Sequence, residues 1–168
     1  MIKYLPLSFL ALVVACSSHV AQAEEQDAAC AIITEFIADE FDRARKPLFL
    51  TLDKPHARHV SKARAAAHQA APHPVDACPE VAKIRSERSY IPPYRAPDEP
   101  PDTSTDGLYY PYETLSVSLP LLDDDGESYR FEVVRVCGPL CAGGSTVIYR
   151  RQSDASWRKD REEPNWIS

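Results

Sequence analysis

The residues with the most chemistry in their spacing lie in "RVCGPLCAGGST", residues 135–146, where Cys137 and Cys141 flank Gly138 and Pro139 and a double glycine follows. Two thiols four apart serve as half of a metal clip, as a redox couple, or as a staple on a hairpin. Thiol exchange asks for a thiolate stabilised at a helix N-terminus, and the flanks here read as strands. A metal needs three or four converging ligands. His56, His59, His68 and His73 cluster further back, but the H-E-x-x-H spacing of zinc hydrolases is absent and Asp53 and Asp76 are the only acids nearby. "LLDDDGESYRFE", residues 121–132, places Asp123, Asp125, Gly126 and Glu132 at calcium-loop positions, yet leucine holds the first ligand place and both flanks look like strands. Ser145 lacks the G-x-S-x-G frame of a nucleophile elbow. The staple is the favoured reading, and neither metal nor cofactor is expected.

Compartment supports it. After Lys3, "YLPLSFLALVVA" (4–15) is an uncharged, mostly apolar run, too short to span a membrane and suited to the core of an export signal. "AQA" at Ala21–Ala23 offers cleavage before Glu24. "VVAC" at Val13–Cys16 resembles a lipobox, which would make Cys16 a lipidated N-terminus. Cleavage after Ala23 is expected, leaving residues 24–168 as one periplasmic or secreted domain. The alternative is an outer-membrane lipoprotein held through Cys16. On either route Cys30, Cys78, Cys137 and Cys141 remain, an even set in an oxidising compartment. Three pairings are possible. Cys137–Cys141 is expected because the pair lies within reach across a turn, and Cys30–Cys78 follows; the sequence does not exclude the other two. In a chain-entropy view the short loop contributes about 2 kcal/mol and the long one about 4.

The chain carries a formal net charge of −6, and residues 1–23 remove only Lys3, so what remains is more acidic still. That argues against nucleic acid as the main partner. Arg43, Arg45, Lys46, Lys54, Arg58, Lys62 and Arg64 nevertheless face Asp53 alone within residues 43–75, a candidate contact for an anionic envelope surface.

These groups need a scaffold. Ala29, Ile32, Ile33, Phe36, Ile37 and Phe41 recur at three and four, so residues 27–44 are expected as one amphipathic helix. Residues 47–53 suggest a short strand, 57–71 an alanine-rich helix that is exposed or bound weakly to the body, and Pro79 opens another helix. The proline-rich stretch 92–107 reads as a loop. Leu115, Val117 and Leu119 alternate with Thr114, Ser116 and Ser118, the mark of a half-buried strand. Residues 128–137 carry Tyr129, Phe131 and Val133 on one face and Val134 and Val136 on the other. Strands at 145–151 and 157–161 complete an antiparallel meander of about four strands, with Gly143 and Gly144 free to take positive φ in the turn after Cys141. The fold class expected is α+β, the N-terminal helix packed on the C-terminal sheet.

From about residue 114 onward, "CGPLC", "GGST", Trp157 and the closing "WIS" resemble the C-terminal half of small exported bacterial proteins of unknown function, although Ala142 stands where those have glycine. The resemblance implies local pairing of Cys137 with Cys141. It implies no activity. The expected function is a non-catalytic binding or structural module of the cell envelope, its partner an envelope protein or an anionic surface. The alternative is a small envelope enzyme, hydrolytic or thiol-active, with no catalytic residue to name.

Overall fold

A computed structural model describes residues 8–55, 62–92, 112–138 and 141–167, with the side chains of 8–21 and of Arg64 outside the description. The elements run α1 (Ser8–Arg43), β1 (Leu48–Leu50), α2 (Lys62–Ala70), α3 (Pro74–Ala77), α4 (Pro79–Arg88), β2 (Glu113–Val117), β3 (Leu121–Leu122), β4 (Ser128–Gly138), β5 (Cys141–Arg151) and β6 (Trp157–Ile167). The proline-rich loop, apart from Pro92, lies outside the described residues, as do His56, Arg58 and His59.

The class is α+β, but the sheet has six strands rather than about four, and it is mixed. Its order is β1-β2-β4-β5-β6, with β3 paired to β4 off that path. β1 lies parallel to β2, whereas β4 pairs antiparallel with β2, β3 and β5, and β5 with β6. Two short elements account for the difference. β1 spans three residues within the short strand expected at 47–53 but adds to the sheet beside β2, and β3 spans two, too few for alternation to declare it. A parallel pair also needs a long connection, which α2, α3 and α4 help supply. The expected "WRKDR" strand runs on to Ile167.

α1 extends further toward the N-terminus than expected, its apolar start and its amphipathic part forming one helix through Ala23. Residues 22–27 are exposed, Ala28 is half-buried and Ala29 is buried. From there Ala29, Ile32, Ile33, Phe36 and Ile37 form the buried stripe. Arg43 closes the helix, its cation beside the C-terminal carbonyls and paired with Glu40 at 2.8 Å. Among the described residues no helix is long and apolar enough to cross a membrane.

The stripe meets the odd-numbered face of β4. Tyr129, Phe131 and Val133 are buried with Leu115 and Val117 of β2 and Val147 and Tyr149 of β5. The Phe36 and Phe131 rings meet edge to face at 5.0 Å, and Tyr129 meets Trp157 in the same way at 4.7 Å. Each such side chain fully removed from water contributes about 1.5–3 kcal/mol. Arg135 seals the end of this core, donating to Glu40 and to Glu162, both at 2.7 Å. The Cys30–Cys78 bridge ties α1 to the junction of α3 and α4, its Cα atoms 5.3 Å apart.

The sheet's edges are protected. β1 is blocked by the end of α4 and the residues after it: Tyr90 N–H donates to Leu48 O, Leu50 N–H to Ser89 Oγ, and Arg85 Nε to Leu50 O. β6 carries Arg158, Lys159, Asp160, Arg161, Glu162, Glu163 and Pro164, charges and a missing donor that discourage pairing with another chain.

Candidate functional site

The second face of the sheet carries the polar chemistry. Strand alternation that sends Leu115, Val117, Phe131 and Val133 toward α1 sends Ser116, Ser118, Glu132, Val134 and Thr146 the other way. Register then assembles two neighbouring rows. In the first, Ser116 pairs with Val134, Val134 with Gly144 and Gly144 with Trp166. In the second, Ser118 lies beside Glu132 and Glu132 opposite Thr146, with Asn165 reaching in from β6.

The second row is buried and closely bonded. Glu132 is 2% exposed; its carboxylate accepts from Thr146 Oγ1 at 2.9 Å and from Asn165 Nδ2 at 2.8 Å. Ser118 Oγ accepts the Glu132 N–H at 2.9 Å and lies 3.1 Å from His68 Nδ1. A serine, a histidine and a carboxylate side by side suggest hydrolysis, but Ser118 is 3% and His68 4% exposed, so a substrate has no path to the hydroxyl. This arrangement satisfies buried polar groups and holds α2 on the sheet.

The first row is open. Leu52, Asp53, Lys54, Pro55, Gln69, Ser116, Val134 and Trp166 line a groove of about 630 Å³. Trp166 forms one wall by lying on Gly144: a Cβ there would come within 2.8 Å of Cδ1 and Cε2 of the indole. Gly143 and Gly144 are thus strand residues, not the positive-φ turn residues expected; among the described glycines only Gly126, in the β3–β4 turn, has positive φ. The opposite wall is pinned by Lys54, whose Nζ donates to Gln69 O and Ala71 O at 2.5 Å each, and by Thr51 Oγ1 and Ser116 Oγ, 2.9 Å apart. Mixed apolar and polar lining around one aromatic wall suits a ligand with an apolar face and hydrogen-bonding edges. A smaller apolar groove of about 360 Å³ runs along the Cys30–Cys78 bridge between α1 and α4.

The other sequence candidates are dispersed. Cys137 ends β4, Cys141 begins β5, and their bridge fixes the hairpin with Cα atoms 5.1 Å apart. Of the basic run, Arg43 pairs with Glu40, Lys54 is turned to the α2 carbonyls, and Arg45 and Lys62 are exposed. Arg58 and the Arg64 side chain lie outside the described residues. The calcium-loop acids diverge: Asp123 pairs with Arg130, Asp125 accepts the Glu127 N–H, and Glu132 is buried on the second face. His68 and His73 sit apart, one on the sheet face and one capping α3. Among the described residues no group of His, Cys, Asp and Glu gathers for a metal. Ser145 is buried on the α1 face and donates to Glu162.

Sequence reasoning anticipates partial cover on the second face but misses the polar row beneath it. Its signal was present in Val134 and Val136, which hinted at cover on both sides, and in Ser116 and Ser118, whose polar alternation reads equally well as solvent-facing. Comparison of the chain with known protein families, with curated proteins and with solved structures finds no match to any of them.

Proposed function

We propose that this protein is an exported, non-catalytic binding module of the cell envelope, with the groove between Trp166 and Leu52–Pro55 as its ligand surface. The observation that carries the reading is that groove: an aromatic wall held on Gly144, facing a polar segment pinned by Lys54, over a floor of Ser116 and Val134. Inaccessibility of the Ser118–His68 pair weighs against the hydrolytic alternative. The Cys137–Cys141 bridge on a hairpin without an adjoining helix weighs against the thiol-active one. Two disulfides suit an oxidising compartment. The exposure of residues 22–27 suits cleavage after Ala23, and equally a lipid anchor at Cys16. The exposed Arg45 and Lys62 leave room for a secondary attraction to anionic surfaces.

The test is recovery of partners from native envelope by the oxidised protein and by Val134→Glu, which places a charge on the groove floor. Loss of the recovered component in Val134→Glu, at unchanged melting temperature, supports the groove. Equal recovery by both proteins moves the binding surface elsewhere.

A further inference from the structure

Helix α3 is opened by an imidazole. His73 is its N-cap, with extended backbone (φ −70°, ψ 143°) and Pro74 at the first helical position. His73 Nδ1 accepts the Val75 N–H at 3.1 Å. A nitrogen that accepts carries no proton, so the ring is neutral and its hydrogen sits on Nε2. That Nε2 is buried without a hydrogen-bond partner, and the residue is 6% exposed.

Both features disfavour the imidazolium. A proton on Nδ1 would abolish the cap, and the added charge would sit away from water. The charged groups around the ring are Asp76 on α3, Arg85 on α4, and Asp53 and Lys54 after β1. They comprise two acids and two bases, so their fields largely offset, and burial holds the His73 pKa below its ordinary 6.5.

His73 also sits where it has mechanical leverage. Upstream, α2 is held to the sheet by His68 and its C-terminal carbonyls by Lys54. Downstream, Cys78 follows α3 directly and is fixed to α1 through Cys30. Opening that starts at the His73 cap therefore stops at the disulfide, leaving α2 and α3 to move while α4 stays.

We propose that α2, docked on the second sheet face through His68, and α3, packed against α1 and α4, are released together by acid, with His73 as the trigger. This goes beyond the binding reading and stands whether or not the groove takes a ligand. The sign follows from linkage. The closed state binds fewer protons than the open state, so closure is complete above pH 6.5 and weakens as pH falls through that value. The opening equilibrium rises by at most about tenfold per pH unit and levels off at the lowered pKa of the closed state.

Hydrogen exchange on the full-length oxidised protein, corrected for intrinsic rates, tests this between pH 7.5 and 5.0. In the wild type, amides of α2 and α3 should lose protection progressively below pH 6.5, approaching tenfold per unit, while those of β4 and β5 hold theirs. His73→Asn keeps a side-chain acceptor at the cap without titrating, and its α2 and α3 protection should be flat over the range. Should that variant be open at every pH, His73→Asp, an ionised cap throughout, takes its place. His68→Gln should retain the wild-type slope. The proposal is overturned if the wild type responds no more steeply than the capped variants. Loss of the slope in His68→Gln instead, or an equal loss of protection in β4 and β5, would also overturn it.

Discussion

The two faces of one sheet are built on different physics. Toward α1, Tyr129, Phe131, Val133, Val147 and Tyr149 meet a helical stripe of Ala29, Ile32, Ile33, Phe36 and Ile37, a contact that is non-directional and scales with apolar area. Toward α2, Ser118, Glu132, Thr146 and Asn165 meet through hydrogen bonds of 2.8–2.9 Å, and such bonds contribute little net stability while being costly to break singly. One face therefore holds the fold, and the other holds a thin cover in one position. The difference teaches where a ligand groove and a movable segment are tolerated: on the side whose contacts are directional and few.

The largest test of this contrast is a pair of truncations. Phe36→Ala empties the centre of the apolar face and is expected to cost about 3–5 kcal/mol. Thr146→Val, nearly isosteric, removes one donor from the Glu132 carboxylate and should cost about 1–3 kcal/mol. Urea unfolding of the two variants settles the order. A Thr146→Val cost equal to that of Phe36→Ala would erase the distinction, because the second face would then hold the fold as strongly as the first.

A smaller effect probes the groove wall. Gly144→Ala puts a methyl group where the Trp166 indole lies, and overpacking of this kind costs about 1–3 kcal/mol. Trp166 must swing away, so quenching of its fluorescence by acrylamide should rise along with the loss of stability. Trp166→Ala should cost stability too, but adding Gly144→Ala to it should cost almost nothing more, since the obstacle is gone. Full additivity in that double variant would mean that the glycine serves backbone conformation and not the ring above it.

What was legible in the chain divides along the same line. The α1 stripe and the β2 and β4 alternation could be read because burial against one apolar face leaves a periodic record at 3.6 or 2 residues. Tyr129, Phe131 and Val133 were placed correctly for that reason. The second face left only Val134 and Val136 as such a record. Glu132, Thr146 and Ser118 are buried only because strands distant in sequence bring them together, and residue by residue they look like solvent-facing positions. α2 reads as a helix exposed or bound weakly to the body, and it is exposed along most of its length; alanine buries too little area to announce the contact, and the residue that docks it, His68, is polar. Gly144 read as a turn residue because its reason for being glycine, Trp166, stands on the next strand.

The smallest expected effect separates the faces by acid. Glu162, at the rim of the α1 face, is held at a pKa of about 2 against an ordinary 4.5. Partial burial alone would raise it, but hydrogen bonds from Lys159 and Ser145 and the charge of Arg135 outweigh burial. A carboxylate with a depressed folded pKa contributes stability that is complete above its unfolded value and disappears as pH falls from 4.5 toward 2. Its side chain is 27% exposed, so solvent screens the contribution and the change is modest. Glu162→Gln should lower the urea midpoint at pH 6, and the gap to wild type should close progressively below pH 4.5. The His73 window opens two pH units higher, so between pH 6.5 and 4.5 acid should loosen α2 and α3 while the Arg135–Glu162 rim stays ionised. Parallel pH profiles for Glu162→Gln and wild type down to pH 2 would show that the rim makes no acid-dependent contribution, and that the α1 face is held by its apolar contacts alone.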